Sequence, residues 1–500
     1  MRRRALLAGL SGVLLALAMP GPNLGPLAAV ALVPLLHALH GPSPKAGFRI
    51  GFCGGVVFFG VLLHWLYTIW EFASVGIIPA YLVLVAYLAL YWGIFGWGVA
   101  WLSRRLGPWG LAPAAASLWT LLEWVRAQGP FGFPWGQAAD ALYQIPSAIQ
   151  VASLTGIWGV SFLVVLVNAL FAQGWVRRQW QAPVTALVIV GFTLGGGWLA
   201  IPPTAASDEG HGVRIVQPSI PQRVRSDAGQ LGEFRRIYRE LMGNIDTSGS
   251  DLTVLPESIL PTYVLEDSDV RDELTDWAQR HDQTLLFGTY RRSEGTTYNS
   301  SVAVSPDGTL GDIYDKHHLV PFSTEYFPGK PLLRRLGTFK LIPVGDRLGL
   351  IDPGRGHRPL QTEMGRVATP ICFESIFPRI IRTFARNGAE LIVVVTNDAW
   401  FKTSWALPQH FSKAVFRAVE TRLDVVQAAN SGISGIVDGH GRIQIRSTID
   451  ERTVLGGTVR SHDRETLYTR WGDWWIGLCA LYLGFIALGS SILSRRRRPD

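Results

Sequence analysis

The chain has 500 residues, of which 48% are hydrophobic and 17% are charged, and its mean hydropathy is +0.21. Soluble domains usually carry about 25% charged residues, so the composition argues against an ordinary soluble protein and indicates membrane-spanning segments. The net charge of +8 does not indicate a nucleic-acid-binding protein, because the basic residues concentrate in short loops and at both termini.

Eight apolar runs are long enough to cross a bilayer as helices, which takes about 17–25 residues each. The first run follows the basic start MRRR, as in a signal peptide. However, AMPGPNLGP is a poor cleavage site and a second apolar run follows at once, so the first run is interpreted as a span. The eight predicted spans are 4–20, 24–41, 50–70, 75–102, 110–126, 150–174, 182–201 and 474–493.

The short loops between these spans predict the orientation of the chain. Three alternate loops each carry two basic residues and fall on the same side as both basic termini: 42–49, 103–109 and 175–181. By the positive-inside rule that side is cytoplasmic. We therefore expect a multi-pass protein of the cytoplasmic (inner) membrane, with both termini in the cytoplasm and the long segment 202–473 on the outer, periplasmic face.

This long segment has the composition of a soluble domain and is long enough for one large core. Helical patterns at 269–282 and 408–424 alternate with short apolar runs, several of them apolar on both faces, which favours a layered α/β domain. Residues 331–364 are rich in glycine, proline and arginine and predict a long loop or lid. The predicted strands are 212–217, 251–256, 284–290, 301–305, 366–373, 391–397 and 432–438.

The expected organisation therefore has four parts. A transmembrane helical domain of seven spans covers 1–201, and an α/β catalytic domain covers 202–473. A final transmembrane helix follows at 474–493, and a basic cytoplasmic tail at 494–500 ends the chain.

Of the three cysteines, Cys53 and Cys479 fall in apolar stretches, where a cysteine usually serves as a small buried hydrophobe. The third, Cys372 in VATPICFESIF, ends a predicted strand and precedes the helix-like segment IFPRIIRTFARN. No CxxC spacing exists, and His317 and His318 are neighbours that would point to opposite faces of a strand. We therefore expect neither a metal site nor a cofactor.

Polar residues stand where predicted strands end, which is where α/β sheets form their sites. Glu257 follows a strand in VLPES, and Lys316 follows the strand-like GDIYD in YDKHHLVPF. A thiol with a pKa near 8.5 needs a base or a cation to react readily at neutral pH. Glu257 would be that base, and Lys316 with a backbone N–H after Cys372 would stabilise an oxyanion. Taken singly, each residue has a structural alternative: a buried thiol, a cap or a solvated turn.

The ordered set Glu257, Lys316 and Cys372 resembles the Glu–Lys–Cys triad of the nitrilase, or carbon–nitrogen hydrolase, superfamily. Its position between seven spans and a final span resembles the apolipoprotein N-acyltransferase family in particular. Further stretches that look like motifs of this family are LEWVRAQGPFGFPWG at 122–136, GIWGVSFLVVLVN at 156–168, TNDAWF at 396–401, PQHFSKAVFRAVETR at 408–422, AANSGISG at 428–435 and TLYTRWGDW at 466–474.

The resemblance implies a multi-pass α-helical membrane domain of about eight spans with a periplasmic αββα sandwich. It implies an acyltransferase that moves an acyl chain from a phospholipid to the N-terminal amine of diacylglyceryl-cysteine in apolipoproteins, through a thioester on Cys372. Lys316 and the Phe373 amide would hold the oxyanion. The implied partners are a phospholipid donor, an apolipoprotein acceptor and the bilayer. No nucleic-acid partner is expected, and the enzyme is expected to be a monomer.

Two glutamates and three aromatic residues complete the predicted site. Glu325 in FSTEYFP would orient Lys316 or Glu257, and Glu374 in CFES would support the pocket, although both have a simple salt-bridge alternative. The family usually reads G-E-Y after VPF, whereas this chain has one more residue before its glutamate, which affects the placement of Glu325. Phe373 stands where a tyrosine is often found. Trp400 and Phe401 would line the acyl or lipid access route, or pack in the core.

Two other functions remain open from the sequence. The first is a membrane-anchored amidase or hydrolase of the nitrilase type, for which eight spans are more than an anchor needs. The second is a transporter or scaffold whose α/β domain has lost its activity. The presence of all three triad residue types, and the scarcity of charges within the spans, weigh against the second.

Overall fold

The computed structural model describes residues 1–73, 76–203, 210–225, 228–330, 335, 349–461 and 465–496. The chain divides into two compact units. The helical unit comprises Met1–Tyr67, Ile77–Pro203 and Trp471–Asp500, and the α/β unit comprises Thr68–Gly76 and Thr204–Arg470.

The helical unit is built from long apolar helices, which form most of their backbone hydrogen bonds within the helix. Shorter helices lie at Pro146–Ile149 and Ala152–Thr155, and 3-10 turns at Gly25–Ala29, His64–Ile69 and Ala138–Leu142. The long helices are α1 (Arg2–Ala18), α3 (Pro44–Leu62), α4 (Ile77–Leu102), α5 (Pro108–Arg126), α6 (Ile157–Arg177), α7 (Gln181–Ala200) and a final helix (Trp474–Arg496), with the short α2 (Val33–Ala38) between α1 and α3.

Four helices of the described residues, α3, α4, α6 and α7, are long and apolar enough to cross a membrane, so the predicted count of eight spans is not confirmed. The predicted span 24–41 is divided between a 3-10 turn and α2. Pro26 and Pro34 each occupy a first helical turn, where a missing N–H is tolerated, so each starts a short helix. Between these short helices, backbone groups bind the fully buried side chain of Asn168 in α6. It accepts a hydrogen bond from the Leu32 amide and donates one to the Ala28 carbonyl.

Close packing of α3 on α4 depends on glycine. A Cβ added at Gly51 would collide with the Trp92 carbonyl, and one added at Gly96 would collide with the Gly47 carbonyl. Small residues at these positions let the two backbones approach each other, as is common between membrane helices. The predicted loop 42–49 is mostly helical, because α3 already begins at Pro44, capped by the Ser43 hydroxyl.

The α/β unit contains two six-stranded sheets, in the orders β12-β1-β2-β3-β4-β5 and β11-β10-β9-β8-β7-β6. In each sheet three consecutive strands are parallel, β1-β2-β3 in the first and β7-β8-β9 in the second. The strands are β1 (His211–Gln217), β2 (Leu252–Val254), β3 (Thr284–Ser293), β4 (Thr296–Val304), β5 (Leu310–Asp315), β6 (Leu360–Thr362), β7 (Gly365–Ala368), β8 (Leu391–Thr396), β9 (Val425–Ala429), β10 (Gly435–Val437), β11 (Ile443–Arg446) and β12 (Thr453–Val459).

Helices cover the sheets. Residues of α8 (Leu231–Gly243) and α9 (Ser268–His281) form one buried apolar core with the first sheet. In the second sheet, α10 (Pro378–Arg386) connects β7 to β8. The helix α11 (Ala406–Thr421), which is buried along almost its whole length, connects β8 to β9. Short helices lie at Trp70–Ala73, Gln222–Arg225 and Leu467–Trp471. The predicted α/β sandwich with two sheets is therefore present.

Each predicted strand overlaps a strand of the structure, but the strand at 366–373 is shorter than expected. β7 ends at Ala368, two residues before Pro370, which cannot donate a ladder hydrogen bond. Ile371 makes one isolated bridge to Val395, and a 3-10 helix begins at the next residue. Of the predicted loop or lid at 331–364, residues 331–334 and 336–348 lie outside the described residues, and the remainder includes β6.

Candidate active site

Cys372 occupies a tightly held turn between β7 and α10. It begins the 3-10 helix Cys372–Ile376 with a φ of 50°, a left-handed conformation that is uncommon for residues other than glycine. The Ser375 hydroxyl donates to the Cys372 carbonyl at 2.7 Å. A non-glycine residue persists in this conformation only where its surroundings enforce it, and such residues concentrate at functional sites.

Glu374 joins the Cys372 turn to the Lys316 segment. Its fully buried carboxylate accepts from the Ile371 amide at 2.9 Å on one side. On the other side it accepts from the amides of His317 at 2.9 Å and His318 at 3.0 Å, and from the Tyr314 hydroxyl at 2.8 Å. Burial raises the pKa of Glu374, and these donors pull it back down. One side chain thus connects the two sheets at the site, which gives the predicted supporting residue a definite set of contacts.

Lys316 lies between two carboxylates. Its side chain is fully buried, with Nζ 2.6 Å from Glu325 Oε1 and 3.8 Å from Glu257 Oε1. Glu325 also accepts a hydrogen bond from the Val320 amide at 2.9 Å. The one additional residue in this loop therefore does not prevent the Glu325 carboxylate from contacting Lys316. Burial opposes the ammonium charge, but both carboxylates outweigh it and hold the pKa of Lys316 above its ordinary value. Lys316 is therefore a permanent buried cation.

Asn299 of β4 is a further site residue, which the sequence did not reveal. Its Nδ2 donates to Glu257 Oε1 at 2.7 Å and to Glu325 Oε1 at 3.3 Å. The signal available in the sequence was a lone amide side chain in the strand TTYNSSVAV, which is too common to single out.

Glu257 is fixed by both sheets. The other carboxylate oxygen, Oε2, accepts from the Asn397 amide at 2.9 Å, just beyond the end of β8. In the first sheet, a Cβ at Gly288 would lie 2.6 Å from Glu257 Cα, so this close approach of β3 requires glycine. Burial raises the pKa of Glu257, while the Lys316 ammonium lowers it.

The charges of Glu257 and Lys316 both affect the pKa of the Cys372 thiol. Burial and the Glu257 carboxylate raise the pKa of Cys372 well above its ordinary value, and Lys316 lowers it by less. These influences favour the neutral thiol over the thiolate in the resting site. A thiol in this state needs a proton acceptor during attack, which is the chemistry of a general base.

The predicted aromatic residues lie near the edges of this arrangement. The partly exposed Phe373 ring stacks on His318 at 5.9 Å and meets Phe377 edge-on at 5.1 Å. Trp400 and Phe401 are partly exposed in the 3-10 helix Asp398–Phe401, which follows β8. The structure thus brings Glu257, Lys316, Cys372, Glu325 and Glu374 into one network, with Phe373 adjacent in sequence.

No group of three or more His, Cys, Asp or Glu side chains suited to a metal ion occurs among the described residues.

Residues 11–170 match the apolipoprotein N-acyltransferase N-terminal domain, and residues 212–467 match the carbon-nitrogen hydrolase domain. The apolipoprotein N-acyltransferase of Geobacter metallireducens is 36% identical over 97% of this chain and 95% of its own length. That of Gloeobacter violaceus is 33% identical over 100% of this chain and 97% of its own length. That of Thermotoga maritima is 31% identical, covering 98% of this chain and 94% of the relative.

Proposed function

Because the chain belongs to the apolipoprotein N-acyltransferase family, we propose that it transfers an acyl chain from a phospholipid to the N-terminal amine of diacylglyceryl-cysteine in apolipoproteins. The chain is accordingly an enzyme of the acyltransferase class. The observation that carries the proposal is a partly buried thiol under the electrostatic influence of one carboxylate, Glu257, and one buried ammonium, Lys316. This combination suits acyl transfer through a covalent intermediate.

In the first half of the reaction, Glu257 takes the proton of Cys372 as the sulfur attacks the ester carbonyl carbon of the phospholipid. The negative charge that develops on the carbonyl oxygen is stabilised by the Lys316 ammonium and by the Phe373 N–H. The tetrahedral intermediate then expels the glycerol oxygen, which receives the proton from Glu257. The products are a thioester on Cys372 and a lysophospholipid.

In the second half, the free amine of the diacylglyceryl-cysteine attacks the thioester. Glu257 accepts the proton that the amine loses and passes it to the sulfur as the carbon–sulfur bond breaks, which restores both the Cys372 thiol and the Glu257 carboxylate. An amine acceptor is chemically suitable, because thioesters react with amines more readily than with water. Glu325 and Asn299 keep Glu257 and Lys316 in place throughout both halves.

The membrane setting belongs to the same proposal. The protein is an integral membrane protein, and four helices among its described residues are suited to crossing a bilayer. We infer that residues 1–201 and 474–493 together make eight spans, with the catalytic part at 202–473 on the periplasmic side of the inner membrane and the tail 494–500 in the cytoplasm, like the N-terminus. The basic loops and termini support this orientation. The enzyme acts as a monomer.

A labelled donor tests the proposal directly. Purified full-length protein is incubated with a phospholipid labelled in its acyl chain, and mass spectrometry searches for a thioester on Cys372. The expected result is an adduct that passes to a diacylglyceryl-cysteine peptide. It should be absent in Cys372→Ala and unchanged in the control Cys53→Ala, which alters a cysteine of α3. Loss of the label to water alone would favour a hydrolase, and no adduct at all would favour an inactive scaffold.

A further inference from the structure

A second buried polar network lies directly behind the Cys372 turn. His410 of α11 has its Nδ1 3.0 Å and 3.1 Å from the two carboxylate oxygens of Asp398. Its Nε2 lies 2.9 Å from Ser375 Oγ and 3.3 Å from the Cys372 carbonyl oxygen. The exposed fractions of Asp398, Ser375 and His410 are 1%, 1% and 3%. The reaction as proposed above uses none of these three side chains.

The partners of the imidazole determine its protonation. The Asp398 carboxylate and the Cys372 carbonyl only accept hydrogen bonds, so a ring that binds both carries a proton on each nitrogen. Burial opposes the charged ring, but the Asp398 carboxylate outweighs it and raises the pKa of His410. The Ser375 hydroxyl donates its single proton to the Cys372 carbonyl, so its oxygen can accept a hydrogen bond from His410. The Cys372 carbonyl oxygen thus accepts two hydrogen bonds, one from Ser375 and one from His410.

The orientation of that carbonyl fixes the orientation of the next amide. In a trans peptide the C=O and the following N–H point in opposite directions within one plane, and no cis peptide bond occurs among the described residues. Holding the Cys372 carbonyl toward His410 therefore turns the Phe373 N–H away from it. A rotation of this peptide plane would change ψ of Cys372 and φ of Phe373, and the hydrogen bonds to the Cys372 carbonyl oppose it.

We propose that His410, held by Asp398, is a positioning residue that keeps the Phe373 amide aimed at the reacting oxygen by holding the Cys372 carbonyl. The inference rests on the proposed function, in which this amide stabilises the oxyanion. Ser375 lies within the same short 3-10 helix and moves with it, whereas His410 belongs to the buried helix α11 and supplies an external anchor.

Two substitutions of His410 distinguish the contact of its Nδ1 with Asp398 from the contact of its Nε2 with the Cys372 carbonyl. In His410→Gln, the amide nitrogen reaches about as far as Nε2 and can still donate toward the Cys372 carbonyl. In His410→Asn, the shorter amide reaches only as far as Nδ1, so contact with Asp398 is kept and contact with the carbonyl is lost. A control, His211→Asn, changes a half-exposed histidine that pairs with Asp251 elsewhere in the α/β unit.

Two rates are measured on full-length protein in detergent, together with thermal unfolding. One is the burst of 4-nitrophenol from a 4-nitrophenyl acyl ester, which requires stabilisation of an oxyanion. The other is alkylation of Cys372 by iodoacetamide, which requires only an accessible, activated sulfur. For His410→Asn the ester burst should slow by about 10- to 100-fold, as is typical for loss of a supporting contact. Alkylation should stay near the wild-type rate, and His410→Gln should restore most of the burst.

Parallel losses of both rates in His410→Asn would overturn the proposal, because the histidine would then act on the sulfur or on folding. Equal losses of the burst in the Asn and Gln variants, or no loss in either, would overturn it too. Should His410→Asn fail to fold, Asp398→Asn removes the charge partner and is judged by the same two rates. The ester assay involves neither phospholipid nor lipoprotein, so a wild type that shows the burst without phospholipid transfer refutes the proposed function alone. Absence of any burst in the wild type refutes both.

Discussion

Buried charge is held differently in the two units. In the helical unit, the guanidinium of Arg126 at the end of α5 donates to three backbone carbonyls, those of Phe133, Trp135 and Gly136. In the α/β unit, the ammonium of Lys316 faces two carboxylates that are themselves bound to one another through Asn299. Both cations are almost completely inaccessible to solvent, with exposed fractions of 3% and 1%.

The difference lies in what each partner can do with a proton. Backbone carbonyls only accept hydrogen bonds, so Arg126 serves to fold the segment after α5 back onto the helix end. Carboxylates titrate, so Glu257 beside Lys316 can take and return a proton while the cation remains. Of these two buried cations, Arg126 with its backbone carbonyls fits a structural role, and Lys316 beside titratable carboxylates is the candidate for a chemical role.

The largest effect is expected from removing the cation of the site. Lys316→Met should slow thioester formation by more than about 10³-fold, because the oxyanion loses its charged partner and two carboxylates are left facing each other. Because the substitution leaves buried carboxylates without their cation, it should also lower the free energy of unfolding by about 3–5 kcal/mol, so the rate is corrected for the folded fraction. Single-turnover acylation with labelled phospholipid measures the effect.

Lys402→Met is the matched control, since Lys402 is half exposed and pairs only with Glu71 among its described ion pairs. It should acylate at the wild-type rate. If Lys316→Met retained a comparable rate, the assignment of the chemical role to the Lys316 region would be wrong.

The next effect should be on stability rather than on chemistry. Arg126→Met leaves the carbonyls of Phe133, Trp135 and Gly136 without this donor, at a cost of about 2–4 kcal/mol in the free energy of unfolding. The molecules that stay folded should acylate Cys372 at an ordinary rate. Thermal unfolding followed by tryptophan fluorescence, with the acylation rate corrected for folded protein, separates the two quantities.

Arg105→Met provides the comparison for this experiment. Arg105 is exposed and lies over the Trp101 ring at 3.9 Å, so its loss should hardly change the unfolding temperature. A stable but inactive Arg126→Met protein would contradict the distinction between the two regions.

The sequence revealed the parts of the site that depend on local pattern. Glu257, Lys316 and Cys372 stand where apolar runs end, and the order of α/β elements places such ends near one another. Glu325 and Glu374 were expected through family resemblance, and their contacts with Lys316 and with the Cys372 turn agree with a supporting role.

Other parts depend on contacts between distant segments and left no local signal. Asn299 and His410 acquire their functions only when other strands and turns come within hydrogen-bonding distance. β12 pairs with β1 over a separation of more than 200 residues, and its sequence TVLGGTV contains two glycines that weaken any strand prediction. The span 24–41 was predicted from hydropathy alone, which does not register where prolines restart a helix.

The finest test of the comparison is the pH dependence of the site. Glu257 must be ionised to act as a base, and burial raises its pKa. A solvent-exposed glutamate has a pKa of about 4.3. The acylation rate should therefore begin to fall, as the pH is lowered, at a higher pH than such a glutamate would produce. Asn299 donates to the ionised carboxylate and so favours the charged form. Its removal in Asn299→Leu should raise the pKa further and move the acid limb upward by about one pH unit.

The acid limb is measured as the single-turnover acylation rate between pH 4 and pH 9, for the wild type, Asn299→Leu and the control Asn244→Leu at an exposed position after α8. A uniform loss of rate with an unmoved limb would mean that Asn299 serves only packing. A limb that moved to lower pH would mean that the titrating group is not Glu257. An upward shift confined to Asn299→Leu would show that the carboxylate beside Lys316 exchanges its proton during the reaction, which Arg126 and its backbone partners cannot do.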